Sequence, residues 1–149
     1  IKIDSISSQD IYVLEKKAHK KEDSILVSGI VVNHFDTGEL KQIKTYKNGI
    51  LNGPRKVFRK NGELQQEGIY INGKIDGYRR AWNENGILIA ERLYENGVAI
   101  GSEKKWYDNG NLKSEVSYEN GKINGKAIKY NEEGEIIEEK NYANGKLIN

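Results

Sequence analysis

The residue types that carry out catalysis are sparse in this sequence. The two histidines, His19 and His34, fall in a charged stretch and in a predicted strand. A catalytic triad needs a nucleophile and a base within hydrogen-bonding distance, and a two-histidine metal site needs both rings together. No spacing here supports either arrangement, and no EF-hand pattern occurs. The sequence therefore predicts a protein that is not an enzyme and has no cofactor or metal.

The acidic residues and glycines favour structural roles over chemical ones. Asp36 and Asp108 precede turn glycines, where an aspartate side chain caps the turn. A column of glutamates recurs every 24 residues, but equivalent positions two strands apart lie about 10 Å from each other in a sheet, too solvated for paired acids. Its members are Glu67, Glu91, Glu115 and Glu139. The glycines form no phosphate-binding loop, because G-x-x-x-x-G-K-S/T is absent.

Composition excludes several classes of protein. Hydrophobic residues make up 36% of the 149 residues and the mean hydropathy is -0.76, which disfavours a thick two-layer core. The 24 basic residues nearly balance the 22 acidic ones, so no nucleic-acid partner is predicted. No apolar run is long enough for a transmembrane helix, and the absence of Cys excludes disulfides.

Amino-acid usage and the first residue of the sequence bear on origin and location. Frequent Lys, Ile, Asn and Glu indicate an AT-rich bacterial genome. The absence of Met, with Ile1 first, predicts a processed chain and leaves room for a signal peptide before it. The sequence leaves open whether the protein is cytoplasmic, in the cell envelope or secreted.

A fixed 24-residue period runs through the chain from Gly29. It divides residues 29–149 into five repeats, with glycine at positions 1, 10 and 21 of each and Asn always before the third glycine. The repeats are 29–52, 53–76, 77–100, 101–124 and 125–148. Glycines that recur at fixed positions indicate positive φ angles. The residues around positions 10 and 21 have the composition of hairpin turns. The pattern predicts an all-β fold: an elongated, single-layer antiparallel meander of stacked hairpins, in which each repeat contacts its neighbours.

The register predicted for each hairpin follows from parity. A three-residue loop at positions 8 to 10 places position 6 opposite position 12, and position 3 opposite position 15. The predicted pairs are Val31 with Ile43, Arg55 with Glu67 and Arg79 with Glu91, whereas Glu103 would face Glu115 without compensation. On the other face, position 17 would meet position 23 in an apolar strip, as in Ile69 with Ile75 and Leu93 with Ala99.

Aromatic residues occupy two of the apolar columns and form the candidate site. Positions 6, 12 and 18 are all even, so their side chains are predicted to share one face. The partner-binding residues predicted on it are Phe58, Trp82, Trp106, Tyr130, Tyr46, Tyr70, Tyr94, Tyr118 and Tyr142. Such rings can be a stacked core that stabilises the sheet or an exposed apolar strip that binds a partner, and both interpretations stay open.

Residues 1–28 do not match the repeat. "IYVLEK" and "SILVSGIVV" are predicted as strands around the charged "KAHKKED", forming a hairpin that caps the first repeat. The alternative is a short helix over residues 8–18, which the β-branched Ile11 and Val13 disfavour.

The repeats resemble the bacterial variant of the MORN repeat. The resemblance rests on Y-x-N-G-x-x-x-G followed by an aromatic residue and x-N-G-x-L, as in "YINGKIDGYRRAWNENGIL" (70–88) and "YENGKINGKAIKYNEEGEI" (118–136). It covers residues 29–149, with departures at His34, Thr37, Ile100 and Glu133. It implies an elongated antiparallel sheet used as a scaffold or binding surface; some bacterial members are labelled antitoxins and others carry export signals.

Three binding functions compete. The first is a clamp for a peptide of another protein along the aromatic groove, of which an antitoxin-like protein would be one instance. The second is binding to phospholipid head groups, for which "EKKAHKKED" is the one dense basic stretch, partly offset by its acids. The third is stacking on glycans or cell wall. Self-association through sheet edges is a further possibility.

Overall fold

The computed structural model describes residues 5–148, and these form an all-β protein of successive hairpins. They pack as two compact units, which divide the chain into residues 1–74 and 75–149. The boundary between a cap and repeats at residue 28 does not coincide with this division and stays a prediction. Residues 1–4 of the predicted N-terminal segment, and Asn149, lie outside the described residues.

The N-terminal unit contains seven strands and one short 3₁₀ turn, Ser8–Asp10. The strands are β1 (Ser5–Ser7), β2 (Ile11–Leu14), β3 (Lys17–Lys20), β4 (Gly29–His34), β5 (Leu40–Lys47), β6 (Ile50–Phe58) and β7 (Leu64–Ile71). Strands β4 to β7 form an antiparallel meander, and β1 adds to it parallel to β4. A separate two-stranded hairpin is formed by β2 and β3.

The C-terminal unit continues the same pattern, after a two-residue strand β8 (Lys74–Ile75) at the division. Its strands are β9 (Gly77–Trp82), β10 (Leu88–Glu95), β11 (Val98–Trp106), β12 (Leu112–Glu119), β13 (Lys122–Tyr130), β14 (Ile136–Ala143) and β15 (Lys146–Leu147). Each strand pairs antiparallel with the next along the chain. The predicted antiparallel meander of hairpins is confirmed.

Two kinds of turn connect the strands. The loop at positions 8 to 10 has three residues: in the fourth repeat Tyr107 N–H donates to the Asn111 carbonyl, and Gly110 closes the loop at φ 87°. The other turn is Asn-Gly with both residues at positive φ, as at Asn96 (51°) and Gly97 (83°). Positive φ at both central residues defines the type I′ turn, whose twist suits a two-residue hairpin. The predicted three-residue loop is confirmed.

A β-bulge after each three-residue loop changes the predicted register. Position 6 does pair with position 12, as in Trp106 with Leu112, but the next pair is position 5 with position 14, as in Lys105 with Ser114. Position 13, here Lys113, is the extra residue that interrupts the ladder. The pairing of position 3 with position 15 was therefore wrong by one residue.

The shifted register changes the cross-strand partners of the charged and apolar residues. Glu67 lies opposite Lys56, Glu91 opposite Arg80, and Ile43 opposite Val32 in place of Val31. The predicted contact of Glu103 with Glu115 does not occur, because Glu115 lies opposite Lys104 and Glu103 opposite Val116. The apolar strip shifts as well, since Leu93 pairs with Ile100 and not with Ala99.

Successive hairpins are joined at the Asn-Gly turns by a hydrogen-bond pattern that repeats. The glycine N–H donates to the carbonyl of position 23 in the preceding repeat, as from Gly97 to Ile75 at 2.7 Å. The N–H of the preceding Asn donates to a side chain at position 24, as from Asn96 to Asp76 at 2.9 Å. Satisfying these turn amides locally lets a single-layer sheet stack hairpins without a globular interior.

The N-terminal segment supplies the same junction to the first repeat. Gly49 N–H donates to the Val27 carbonyl at 2.7 Å, and Asn48 N–H donates to Ser28 Oγ at 2.9 Å. Ala18 and Val27 are buried with Val31 in a small core, onto which Tyr46 packs. Twenty-four residues separate Val27 from Leu51, so Val27 and Ser28 occupy positions 23 and 24 of an incomplete preceding repeat.

The hairpin of this segment has its first strand where "IYVLEK" was predicted, but its second strand comes from other residues. Its strands are Ile11–Leu14 and Lys17–Lys20, joined by Glu15 and Lys16 at positive φ. The "KAHK" stretch is therefore a strand and not a loop, because Ala18 is needed in the small core. Residues 8–18 do not form the alternative helix beyond the 3₁₀ turn.

Candidate functional site

The two predicted aromatic columns lie on opposite faces of the sheet. Cross-strand partners share a face, so Trp106 lies with Leu112, and Lys104 with Glu115. The bulge at position 13 inverts the alternation once, and Tyr118 consequently lies on the other face. Placing both columns on one face was wrong. We call the side of positions 4, 6, 12 and 15 the tryptophan face and the side of positions 3, 5, 16 and 18 the tyrosine face.

The tryptophan face of the C-terminal unit carries a continuous aromatic and aliphatic row. Each position-6 ring pairs with the position-12 side chain of the next strand. This tryptophan row consists of Trp82, Leu88, Trp106, Leu112, Tyr130 and Ile136. Its rings are partly exposed, and Ile136 is 56% exposed. The row lies at the side of the sheet where the three-residue loops emerge.

Ion pairs border the tryptophan row on the same face. Position 4 lies opposite position 15 in each hairpin of this unit, and two of these pairs are ion pairs; a third ion pair reaches position 15 from position 2. They are Arg80 with Glu91 (2.6 Å), Lys104 with Glu115 (3.7 Å), and, from position 2, Lys126 with Glu139 (2.7 Å). The Glu139 contact raises the pKa of Lys126, chiefly through its hydrogen bond. The glutamate column is thus paired with bases in this unit, which supports a structural role.

On the tyrosine face of the same unit, an arginine forms cation–π contacts with two of the tyrosines. The Arg92 guanidinium lies over the Tyr118 ring, 4.2 Å from its centroid, and 5.5 Å from that of Tyr94. Glu103 is 3.2 Å from Arg92 Nε and balances its charge. Cation–π contacts of this kind are worth about 0.5–1 kcal/mol at exposed sites. The rings of Tyr94 and Tyr118 are therefore engaged by the chain itself, which favours a fold-stabilising role for this column; Tyr142 belongs to the same column.

The N-terminal unit divides its aromatic residues in the same way. Phe58 pairs with Leu64 on the tryptophan face, whereas Tyr70 pairs with Gly53 on the tyrosine face. Tyr46 packs against the small core of Ala18, Val27 and Val31, and this burial raises its pKa. At Tyr46 the N-terminal segment covers the tyrosine face.

Two aromatic residues outside the predicted columns also form contacts that connect neighbouring parts of the sheet. Tyr107 donates from its hydroxyl to the Tyr130 carbonyl at 2.8 Å, tying one three-residue loop to the next strand. Phe35 is approached by Lys41 and Lys60, at 5.5 and 5.7 Å from its ring centroid. Both occupy position 7, where the other repeats carry Arg59, Asn83 and Asn131, so no aromatic column in the sequence indicates their contacts. Arg92 was also missed, because its contacts depend on the bulged register.

The described residues offer little for chemistry. His19 stacks on Tyr12 at 5.2 Å in the N-terminal hairpin, whereas His34 pairs with Leu40. Over residues 5–148, no three His, Asp or Glu side chains converge as metal ligands. Nor does that part of the chain contain a helix long and apolar enough to cross a membrane.

The fold and its two faces define a repeat protein of stacked β-hairpins. The MORN repeat variant family matches four consecutive segments, residues 51–72, 75–96, 100–120 and 123–144. These segments cover more than half of the 149 residues, and the chain belongs to this family. No curated protein matches it. Members of this family are typically non-catalytic repeat scaffolds.

Proposed function

We propose that this protein binds an extended segment of another protein over the tryptophan row of its C-terminal unit. The observation that carries the proposal is the row itself: aromatic and aliphatic side chains alternate over six successive strands on one face and stay partly exposed. Covering about 100 Å² on each of three rings would contribute roughly 7 kcal/mol of transfer free energy. Trp and Tyr are also the usual anchors of protein interfaces.

The ion pairs beside the row supply the polar rim of such an interface. Lys104–Glu115 and Lys126–Glu139 are solvent-accessible, so they can exchange partners with a bound peptide at little cost. The tyrosine face fits a partner less well, because Arg92 already engages Tyr94 and Tyr118. The binding residues proposed here are therefore the position-6 column, with the tyrosine column stabilising the sheet. An antitoxin-like role would be one instance of this binding.

The test is selection from a library of random linear peptides, using wild type, Trp106→Ala and Tyr118→Ala. We expect wild type and Tyr118→Ala to enrich the same peptides and Trp106→Ala to lose them. Circular dichroism and thermal melting of the three proteins establish that each variant is folded. Peptides retained by a folded Trp106→Ala, or enriched by none of the proteins, would overturn the proposal.

The same three proteins also test the alternative functions, binding to membranes and binding to glycans. Sedimentation with anionic vesicles at low salt, or retention on cell-wall polysaccharide, would have to depend on Trp106 to replace protein binding as the function of this row. A membrane role receives little support from charge, because the formal net charge is only +2.

A further inference from the structure

The last hairpin of the described chain presents an open and acidic sheet edge. Strand β14 pairs with β13; on its other side Tyr142 and Ala143 pair with β15, and the Asn141 carbonyl accepts a hydrogen bond from Ile148 N–H. Among the described residues, none pairs with the outer edge of β14 over 136–140. An unpaired edge presents a row of amide and carbonyl groups that another strand can use.

Exposed apolar side chains surround this edge. Ile137 and Ile148 are each 63% exposed, and Ile136 and Leu147 each 56%. A cluster of this kind on a sheet edge marks an interaction surface or an aggregation site. Residues 131–139, which we call the acidic edge, contain no basic residue. Their acids are Glu132, Glu133 and Glu135 in the loop, and Glu138 and Glu139 in the strand, which are already paired with lysines of the same chain.

The N-terminal hairpin has the complementary properties. Residues 11–21, the basic hairpin, carry Lys16, Lys17, Lys20 and Lys21 against a single acid, Glu15. Strand β2 pairs with β3 alone in the described structure, so its outer edge is also open. Val13 and Leu14 at its end are 67% and 56% exposed.

We propose that the basic hairpin of one copy adds as a strand to the acidic edge of a second copy. Strand addition would satisfy the open amides of β14 and bury Val13 and Leu14 against Ile136 and Ile137. The lysines would then face Glu132, Glu133 and Glu135 of the loop before β14. The contact uses a different patch on each partner, so it is heterologous and can repeat from copy to copy.

Charge reversal at each surface tests the proposal. Lys17→Glu/Lys21→Glu makes both surfaces acidic, and Glu132→Lys/Glu133→Lys/Glu135→Lys makes both basic; these five side chains are exposed. The control Lys74→Glu/Lys122→Glu changes the net charge by −4, as Lys17→Glu/Lys21→Glu does, at exposed lysines elsewhere. Sedimentation velocity over a concentration series measures association, and thermal melting establishes that each variant is folded.

We expect wild type and the control to associate and each reversed variant to associate at least about tenfold more weakly. Mixing the two reversed variants should restore association, because each then meets the opposite charge. High salt should weaken the wild-type contact, since the screening length falls from about 10 Å at 0.1 M to about 3 Å at 1 M. Trp106→Ala should associate like wild type, which separates this contact from peptide binding.

Two results would overturn the proposal. If the wild type stays monomeric up to about 1 mM, the chain does not self-associate, and the acidic edge would instead fit a basic strand of a different protein. Association that survives both reversals, or that mixing does not restore, would assign self-association to another surface.

Discussion

Trp106 and Tyr118 lie on opposite faces of the neighbouring strands β11 and β12, although twelve residues, an even number, separate them. Regular alternation through the hairpin would place both on one side. The extra residue Lys113 breaks the alternation, and the same bulge recurs in every hairpin with a three-residue loop in the described chain. In the last four repeats, position 6 consequently places an aromatic residue on one face and position 18 places a tyrosine on the other.

The turn glycines differ in what an added methyl group would meet. Gly49 and Gly38 both have positive φ, 75° and 98°, so Ala at either should cost about 1–2 kcal/mol. At Gly38 a Cβ would meet open space, whereas at Gly49 it would lie 2.8 Å from Leu26 Cδ2 and 2.9 Å from the Ala18 carbonyl. We expect Gly49→Ala to be the more destabilising by a further 1 kcal/mol or so, measured by urea denaturation. Equal midpoints for the two variants would contradict the close packing of the N-terminal segment on this turn.

The side chain at position 24 should contribute a measurable hydrogen bond. Asp76→Ala removes the acceptor of the Asn96 N–H, at an expected cost of about 1 kcal/mol. Asp76→Asn should keep most of the stability, because Asn52 and Asn124 accept the same bond from Asn72 and Asn144. Amide hydrogen exchange at Asn96 is the direct measurement, with about fivefold lower protection in Asp76→Ala alone. Unchanged protection would show that water replaces the side chain without cost.

The sequence contains most of the information on the hairpins, because turn geometry is local. Asn96 and Gly97 mark a type I′ turn by residue type alone, and Gly110 marks the three-residue loop. Local residue types do not show which side chains lie on which face of the sheet. Position 13 holds Lys41, Gln65, Ile89, Lys113 or Ile137, so the bulge has no characteristic residue.

One signal of the bulge was nevertheless present. The register without it placed Glu103 opposite Glu115, and a shift of one residue replaces that repulsion with the Lys104–Glu115 pair. This signal is confined to the fourth repeat, because in the third the bulged register places Arg79 opposite Arg92. The parallel strand β1 carried no comparable signal, because it depends on packing of Ile6 beside the small core.

Lys44 should reduce stability at neutral pH. It lies opposite Arg55 on the tyrosine face, and burial, followed by the Arg55 charge, lowers its pKa. A lysine whose pKa is lower in the folded state disfavours folding while it is charged, and this penalty disappears as the pH rises through its pKa. We expect Lys44→Met to stabilise the protein by about 0.5 kcal/mol at pH 7, as measured by urea denaturation. The exposed Lys47→Met is the matched control and should have little effect; a lower midpoint for Lys44→Met would show that its charge is favourable.

Glu138 should titrate at unusually low pH. Hydrogen bonds from Lys129 and then Lys140 lower its pKa from 4.5 to about 2. Because the folded pKa is depressed, the unfolded chain binds more protons between these values, and the contribution of these ion pairs is lost as the pH falls from about 4.5 to about 2. We expect a carboxyl NMR titration to give a midpoint near the lower value, and Lys129→Gln to raise it. The control is Lys113→Gln, because Lys113 contacts the Tyr107 ring and not Glu138, and it should leave the midpoint unchanged. A wild-type midpoint near 4.5 would mean that Lys129 and Lys140 do not form hydrogen bonds with the Glu138 carboxylate in solution.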